Sequence, residues 1–150
     1  TSINEGIDAL TEEYRSIASH LFAQTVPCGL IGGYCEDGFP LFYANRQIVE
    51  MLGYSTFDEF VAGIDGHVIN TIHPDDLPQV IEDIGLTYYE GLYYETMYRM
   101  PRKDGSWFWT VDRGRVLRVE DGRLAIASVC WEIEDVARFR DLLSGLGEAE

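Results

Sequence analysis

The sequence has few of the residues on which nucleic-acid-binding and membrane-spanning proteins depend. Of its 150 residues only 11 are basic, with Lys103 as the single lysine, against 26 acidic residues. Proteins that bind nucleic acid without sequence preference neutralise phosphates with clustered Lys and Arg, so the composition argues against this function. The longest apolar runs, residues 28–35 and 124–131, are far shorter than the roughly 20 residues of a spanning helix. We therefore expect neither a nucleic-acid partner nor a membrane span in this fragment.

Cysteine is also scarce. Cys28, Cys35 and Cys130 form an odd set without a C-x-x-C pair, which argues against a disulfide scaffold and indicates reduced thiols. The chain has no signal peptide at its start, and we expect a cytoplasmic location. Because the first residue is Thr1 rather than Met, we also expect the chain to be part of a longer protein.

Most sequence signatures of enzymes are missing. The chain contains no Walker A loop, no G-x-G-x-x-G and no G-x-S-x-G. His20, His67 and His73 never fall on one helical face, so they do not form a zinc-binding pattern. We predict a domain with no catalytic residues and no metal site.

The residues that are abundant indicate a folded domain with an uneven charge. Apolar residues make up 46% of the chain and aromatic residues 13%, which excludes intrinsic disorder. Residues 1–95 carry 2 basic and 16 acidic side chains, whereas residues 96–150 carry 9 and 10. Such a surface keeps the protein in solution and favours weak attraction between the two regions or to a basic partner.

Apolar residues recur with helical spacing at both ends of the chain. They predict an N-terminal flanking helix over residues 1–26 and a C-terminal connector helix over residues 136–150. The first stripe fits a coiled-coil seam between two chains and equally a helix lying on its own sheet. The stripes are Ile3, Ile7, Leu10, Tyr14, Ile17 and Leu21, and then Val136, Phe139, Leu143 and Leu146.

The central region contains short strand and helix patterns separated by turn signals. Predicted strands cover residues 28–35, 41–44, 93–100, 107–119 and 124–133, and predicted helices begin at Asn45, at Ser55 or Thr56, and after the run from His73 to Asp76. We expect the longest helix to end before Gly91, with Asp75 or Asp76 as its N-cap rather than as an acid–base pair. This order indicates an α+β fold with one antiparallel sheet and helices on one face.

Tyrosines concentrate around the third predicted strand. Strand alternation places Tyr94 and Tyr98 on one face of the sheet and Tyr93 on the other. A tyrosine inside a cavity can offer its hydroxyl to a ligand while its ring fills space. The same pattern also fits ordinary sheet packing.

A series of short motifs runs through the chain in a fixed order. They are Tyr43-Ala44-Asn45; Leu52-Gly53-Tyr54-Ser55 with Phe57, Glu59 and Phe60; Ile72-His73-Pro74-Asp75-Asp76; Tyr98-Arg99; Lys103-Asp104-Gly105-Ser106 with Trp109; and Trp131-Glu132-Ile133-Glu134-Asp135. Together they resemble the PAS family of sensor domains, in the sheet-and-helix variant of bacterial signalling proteins. No single motif is specific, whereas their order and spacing over residues 28–135 are.

The resemblance implies a PAS-like fold over residues 27–135. In that fold a five-stranded antiparallel sheet carries short helices on one face, which enclose a small cavity, and helices flank the domain at both ends. The resemblance also implies a sensory role beside an output domain, such as a histidine kinase or a diguanylate cyclase. Together with the apolar stripe in residues 1–26, it implies a homodimer formed through the N-terminal helix.

The last motif departs from the family pattern. The usual Asp-Ile-Thr is Glu132-Ile133-Glu134 in this chain. The resemblance implies that Glu132, Glu134 and Asp135 relay the signal to the outgoing helix, with Glu132 as the acid.

The sequence argues against two cofactors that PAS relatives bind, flavin and haem. Flavin-binding light-oxygen-voltage relatives carry a reactive Cys directly after the Asn at the start of the third element, whereas Arg46 follows Asn45 here. Haem-binding relatives place a His on the long helix, and residues 77–90 contain none. We therefore expect a small organic ligand or no ligand at all.

Apolar periodicity and the family layout predict which side chains line the cavity. These ligand-binding candidates are Ile31, Tyr43, Ile48, Leu52, Ile72, Val80, Ile84, Tyr98, Trp109 and Val129.

Two other functions fit parts of the sequence. A passive interaction domain without a ligand is consistent with the two helical stripes. A small α+β cone-type enzyme resembling ketosteroid isomerase would use a buried carboxylate or tyrosine, with Asp112 and Tyr98 as candidates. Such an enzyme places its long helices before a run of strands, whereas two strands precede the short helices here.

Overall fold

A computed structural model describes residues 28–133, which fold into one antiparallel sheet with helices on one face. The strands are β1 (Gly29–Tyr34), β2 (Leu41–Ala44), β3 (Tyr93–Pro101), β4 (Trp107–Arg118) and β5 (Leu124–Ile133). The helices are α1 (Arg46–Met51), α2 (Phe57–Gly63) and α3 (Leu77–Ile84), with 3-10 turns at Val68–Thr71 and Pro74–Asp76. The predicted five-stranded antiparallel sheet with short helices is confirmed. The predicted flanking helices, residues 1–26 and 136–150, lie outside the described residues.

The strand order across the sheet is β2-β1-β5-β4-β3, and every neighbouring pair is antiparallel. Short turns join β3 to β4 and β4 to β5, and at the first of them Asp104 accepts hydrogen bonds from the Ser106 backbone N–H and hydroxyl. Gly105 lies between these two residues with a φ of 89°, a conformation in which glycine carries no steric cost. The last strand thus lies at the centre of the sheet, between the first and the fourth.

Side-chain caps fix the first two helices. The Asn45 carboxyl-amide oxygen accepts from the Ile48 N–H at 3.0 Å, which starts α1, and from the Leu30 N–H at 2.9 Å. One side chain therefore caps the helix and ties it to β1. Thr56 caps α2 by accepting from the Glu59 N–H at 3.1 Å.

The longest helix, α3, ends six residues earlier than the sequence predicts. Gly85 has a φ of 94° and its N–H donates to the Ile81 carbonyl, which terminates the helix before Gly91. Asp76 occupies the N-cap position, but its side chain makes no capping bond. The His73 ring nitrogen instead accepts from the Asp75 N–H at 3.1 Å and caps the preceding turn.

The core lies between the helices and the inner face of the sheet. Inner-face residues include Ile31, Tyr94, Tyr98 and Ile126, all of which are buried in it. As the alternation predicts, Tyr94 and Tyr98 point inward while Tyr93 is exposed.

The strand register corrects three of the predicted cavity residues: Tyr43, Trp109 and Val129 lie on the outer face. Tyr43 pairs with Gly32, and Val129 pairs with Arg113. These positions alternate with the inner-face residues of the same strands.

A β-bulge explains the outward position of Tyr43. Gly32 pairs with Tyr43 and Gly33 with Leu41, which leaves Phe42 as the extra residue in β2. The Phe42 ring packs edge-on against Tyr34 of the outer face, with ring centroids 5.4 Å apart. Two consecutive aromatic side chains, Phe42 and Tyr43, are therefore both exposed.

Candidate functional site

A cavity of about 170 Å³ lies between α3 and the inner face of the sheet. Its walls come from α3, from the loops on either side of it, and from the inward positions of β3, β4 and β5. The lining residues are Phe39, Val68, Ile69, Ile72, Leu77, Val80, Ile81, Ile84, Leu86, Tyr88, Tyr94, Tyr98, Asp112, Ile126 and Ser128.

Four of the sequence-predicted cavity residues line this space: Ile72, Val80, Ile84 and Tyr98. Three others, Ile31, Ile48 and Leu52, are buried in the hydrophobic core but do not line the cavity. Ile48 and Leu52 instead belong to α1 and its C-cap, a different part of the core.

The outer-face residues make contacts of their own. Tyr43 and Val129 border an apolar hollow of about 180 Å³ on the outer face of the sheet. Trp109 packs edge-on against Trp107, and the Arg99 guanidinium lies 5.5 Å from the Trp109 ring. None of these three predicted residues can therefore contact a ligand in the inner cavity.

The sheet side of the cavity carries two buried hydrogen-bonded pairs. The hydroxyl oxygens of Tyr94 and Ser128 lie 2.6 Å apart, and the Tyr98 hydroxyl donates to Asp112 Oδ2 at 2.8 Å. Gly114 lies beneath the Tyr94 ring, and a Cβ at this position would collide with it. The absence of a side chain at Gly114 therefore lets Tyr94 reach Ser128.

Asp112 is the only charged residue among the described residues that line the cavity, and it is 6% exposed. Burial raises the pKa of its carboxyl to about 6, although the hydrogen bond from Tyr98 and the nearby polar groups of Ser128 and Cys130 oppose the shift. Asp112 Oδ1 is buried and accepts no hydrogen bond from the described residues. The carboxyl is therefore mostly ionised at neutral pH, with one oxygen unsatisfied.

The other titratable groups beside Asp112 stay protonated. Burial, and then the charge of Asp112, raise the pKa of the Tyr98 hydroxyl and of the Cys130 thiol well above their usual values. A protonated thiol is a poor nucleophile, so this cluster is suited to hydrogen bonding rather than to covalent chemistry.

Two aromatic residues of the lining pack against each other, and an acidic residue joins α3 to the sheet. Phe39 and Tyr88 pack edge-on with ring centroids 5.7 Å apart. Asp83 of α3 accepts a hydrogen bond from the Thr96 hydroxyl of β3 at 2.7 Å, which joins the helix to the edge strand.

A second contact fixes the start of α3. Asp76 accepts two hydrogen bonds from the Arg99 guanidinium, at 2.8 and 2.9 Å, and one from the Arg99 N–H at 2.8 Å. These bonds lower the pKa of the Asp76 carboxyl. Both ends of the helical wall are thus attached to β3.

Three polar residues of the lining, Asp112, Tyr94 and Ser128, are not among the predicted ligand-binding residues. Asp112 was a candidate only for the enzyme alternative. Strand alternation places Tyr94 on the same face as Tyr98, whereas an apolar criterion discards Asp112 and Ser128, because it assumes that inward positions are apolar.

Of the predicted relay residues, only Glu132 lies in the described part of the chain. Its carboxylate accepts from the Arg102 guanidinium at 3.0 Å on the exposed surface. Glu134 and Asp135 lie outside the described residues.

Residues 28–133 contain neither a membrane-spanning helix nor a cluster of metal ligands. No helix there is long and apolar enough to cross a membrane. In the same residues, no three His, Cys, Asp or Glu side chains are arranged to hold a metal ion.

The sequence model of the PAS fold matches residues 41–129, more than half of the chain. The chain belongs to the PAS family. No curated protein matches it in sequence. The match runs from β2 into β5 and includes every lining residue of the cavity except Phe39.

Solved PAS domains share this architecture. The PAS domain of an HTR-like protein from Haloarcula marismortui aligns with a TM-score of 0.59 and 15% identity, covering 81% of this chain and 99% of that one. A sensory box histidine kinase/response regulator from Burkholderia thailandensis aligns with a TM-score of 0.55 and 21% identity, and the alignment covers 92% of this chain and 97% of that one. The LOV domain of the blue-light photoreceptor Aureochrome1, in its light state, aligns with a TM-score of 0.54 and 18% identity. The alignment covers 81% of this chain and 98% of that one. At these identities the likeness shows the fold alone.

Proposed function

We propose that this PAS domain is a non-catalytic sensory module that binds a small organic ligand in the cavity beneath α3. The observation that carries the proposal is the cavity itself, because an apolar chamber with a few convergent polar groups is the usual form of a ligand site. Tyr94, Ser128, Tyr98 and Asp112 supply those polar groups.

The size of the cavity supports a compact ligand. An engineered protein cavity of about 150 Å³ accommodates benzene, whereas drug-sized ligands occupy roughly 300–1,000 Å³. The 170 Å³ chamber is closer to the first case. Together with Arg46 after Asn45 and the lack of His in residues 77–90, this size supports the proposal that the ligand is neither flavin nor haem.

The ligand proposal is tested by native mass spectrometry of the chain purified from cells. We expect extra mass retained under gentle conditions, and its loss in Val80→Phe, which fills the cavity from α3. An unliganded spectrum from every preparation, with no small molecule bound in a fragment screen, would favour a passive interaction domain.

We further propose that the module acts in a cytoplasmic signalling protein with an output domain of the histidine kinase or diguanylate cyclase type. β5 borders the cavity through Ile126 and Ser128 and continues to Glu132 and the chain beyond it. A ligand that favours one packing of the cavity wall could bias the outgoing chain by its differential affinity for the two states. In this proposal Glu132, Glu134 and Asp135 form the relay.

The dimer remains a proposal that rests on the apolar stripe in residues 1–26. We expect Leu10→Lys with Ile17→Lys to make the 150-residue chain monomeric in sedimentation experiments. Ser16→Lys with Ser19→Lys adds the same charge outside the stripe and should leave the dimer intact. A wild-type chain that stays monomeric at high concentration would contradict the proposal.

A further inference from the structure

We propose that the ligand is a small organic amine, with its ammonium group on Asp112 Oδ1 and its apolar body against α3. This inference rests on the proposed ligand-binding function and names the chemical class of the ligand. Its observations are a carboxylate oxygen without a partner, the lack of a compensating cation in the cavity, and the aromatic wall.

The charge balance of the cavity favours a cation. Asp112 is mostly ionised at neutral pH, and within residues 28–133 no Lys, Arg or His side chain lines the cavity with it. An unpaired charge in an apolar interior is costly, and an ammonium group within hydrogen-bond distance would both neutralise and satisfy the carboxylate. An anionic ligand would instead add a second negative charge beside Asp112.

The rings around the cavity favour the same ligand. Phe39, Tyr88, Tyr94 and Tyr98 all contribute to its lining. The faces of aromatic rings attract organic cations, and several rings around one site are the usual means of recognising substituted ammonium groups. A carboxylate among four aromatic side chains is thus a combination suited to an amine.

The surroundings of the cavity also favour entry of a cation. The whole chain carries a formal charge of −15, and Asp83 of α3 accepts a hydrogen bond from Thr96, the residue that pairs with Asp112 in the sheet. A negative field raises the local concentration of cations and lowers that of anions.

The test uses the 150-residue chain and three probes of nearly equal size: benzylamine, benzyl alcohol and toluene. Binding is followed by amide chemical shifts of the cavity residues in NMR titrations. We expect benzylamine to bind at least tenfold more tightly than benzyl alcohol or toluene. In Asp112→Asn this advantage should disappear, while toluene binding stays unchanged.

Asp83→Asn is the matched control, because it removes a carboxylate of α3 and leaves Asp112 in place. It should retain most of the preference for benzylamine. Loss of the preference in Asp83→Asn but not in Asp112→Asn would overturn the assignment of the ammonium site.

A pH series on the wild-type chain gives a second readout if Asp112→Asn does not fold. Among the described residues, the other titratable groups near Asp112 are Tyr94 and Tyr98 of β3, Cys130 of β5 and Tyr88 of the cavity lining. Benzylamine stays cationic below pH 7, so its affinity should fall about tenfold per pH unit once Asp112 is protonated. Toluene affinity should not change, and the series is repeated in Asp83→Asn to exclude the carboxylate on α3.

The results with the three probes distinguish failure of the amine proposal from failure of the proposed ligand-binding function. Equal affinity for all three probes would overturn the amine while leaving a ligand-binding cavity. Failure of every probe to bind would overturn the cavity as a ligand site, and with it the proposed function.

Discussion

Asp112 is the residue at which stability and the proposed recognition of a ligand oppose each other. Its carboxylate is buried, and only one of its oxygens is satisfied, by the Tyr98 hydroxyl. An apolar residue there would cost the fold less, but it would leave the cavity without a charged group.

We expect Asp112→Asn to remove a pH dependence of stability. The ordinary pKa of 3.8 is raised to about 6 in the folded chain, so protonation of Asp112 favours the folded state. Its stabilising effect is complete below pH 4 and is lost as the pH rises through 6. The wild-type chain should therefore lose about 2–3 kcal/mol relative to the variant between pH 4 and pH 7.

The free energy of unfolding of both chains is measured with urea at several pH values. The difference between the two chains is compared, because the contributions of the other acidic residues cancel in it. Asp104→Asn, in the exposed β3–β4 turn, is the control that changes the same functional group. Parallel stability curves for wild type and Asp112→Asn would contradict a raised pKa at this carboxyl.

At the scale of the elements, α3 is a wall held at both ends by β3. The Asp76–Arg99 contact fixes its start, and the Asp83–Thr96 hydrogen bond fixes its last turn. Between them Val80 and Ile84 face the cavity. The helix has only eight residues, so packing and these contacts, rather than helix propensity, hold it in place.

We expect Asp76→Ala to destabilise the chain by about 1–2 kcal/mol at pH 7, because it removes a charged acceptor from Arg99 at a partly exposed site. Pairing lowers the pKa of Asp76, so the stabilisation is present above pH 4. It is lost as the pH falls from there through the lowered pKa. Chemical unfolding at pH 7 and pH 3 measures the effect, and Asp75→Ala is the adjacent control.

Replacement of Ile84 tests the buried face of α3. Ile84 is 9% exposed, so Ile84→Ala should cost about 2–5 kcal/mol in the free energy of unfolding. Leu86→Ala removes an aliphatic side chain that is 85% exposed and should cost far less. A loss below about 0.5 kcal/mol for Ile84→Ala would show that this face is not part of the core.

The elements were easier to predict than the direction of their side chains. Glycine turns and the Asn45 and Thr56 caps mark the ends of strands and helices in the sequence, and these ends agree with the structure except at Gly85. The predicted side-chain directions are wrong where the inner face of the sheet is polar. In β5, Ser128 faces the cavity and Val129 points outward, the reverse of what hydrophobicity predicts.

Two other errors have local causes. The extra residue Phe42 in β2 shifts the alternation, and nothing in the composition of the strand marks a bulge. Trp109 follows Phe108 directly, and two large aromatic neighbours give no indication of which one points inward. Only the register, which places Trp109 opposite Arg99, decides it.

At the scale of the whole molecule, the sheet is completed by its last strand. β5 pairs with β1 on one side and with β4 on the other, whereas β2 and β3 are edge strands. Within the sheet, β5 thus joins the β1–β2 pair to the β3–β4 pair.

We expect native-state hydrogen exchange to follow this order. Backbone amides of β5 should exchange most slowly, because both of its edges are hydrogen bonded, and the short edge strand β2 should exchange fastest among the strands. NMR-detected exchange of the 150-residue chain measures this. Faster exchange in β5 than in β2 would contradict the central position of the last strand.

The position of β5 has a consequence for synthesis on the ribosome. Until residues 124–133 emerge from the exit tunnel, β1 and β2 form one hairpin and β3 and β4 another, with no strand between them to pair the two. Contacts this distant in sequence form slowly, and unpaired strand edges are prone to aggregation. A nascent chain that is interrupted in this region would therefore be a substrate for chaperones or proteases, and no truncated product would retain a complete PAS sheet.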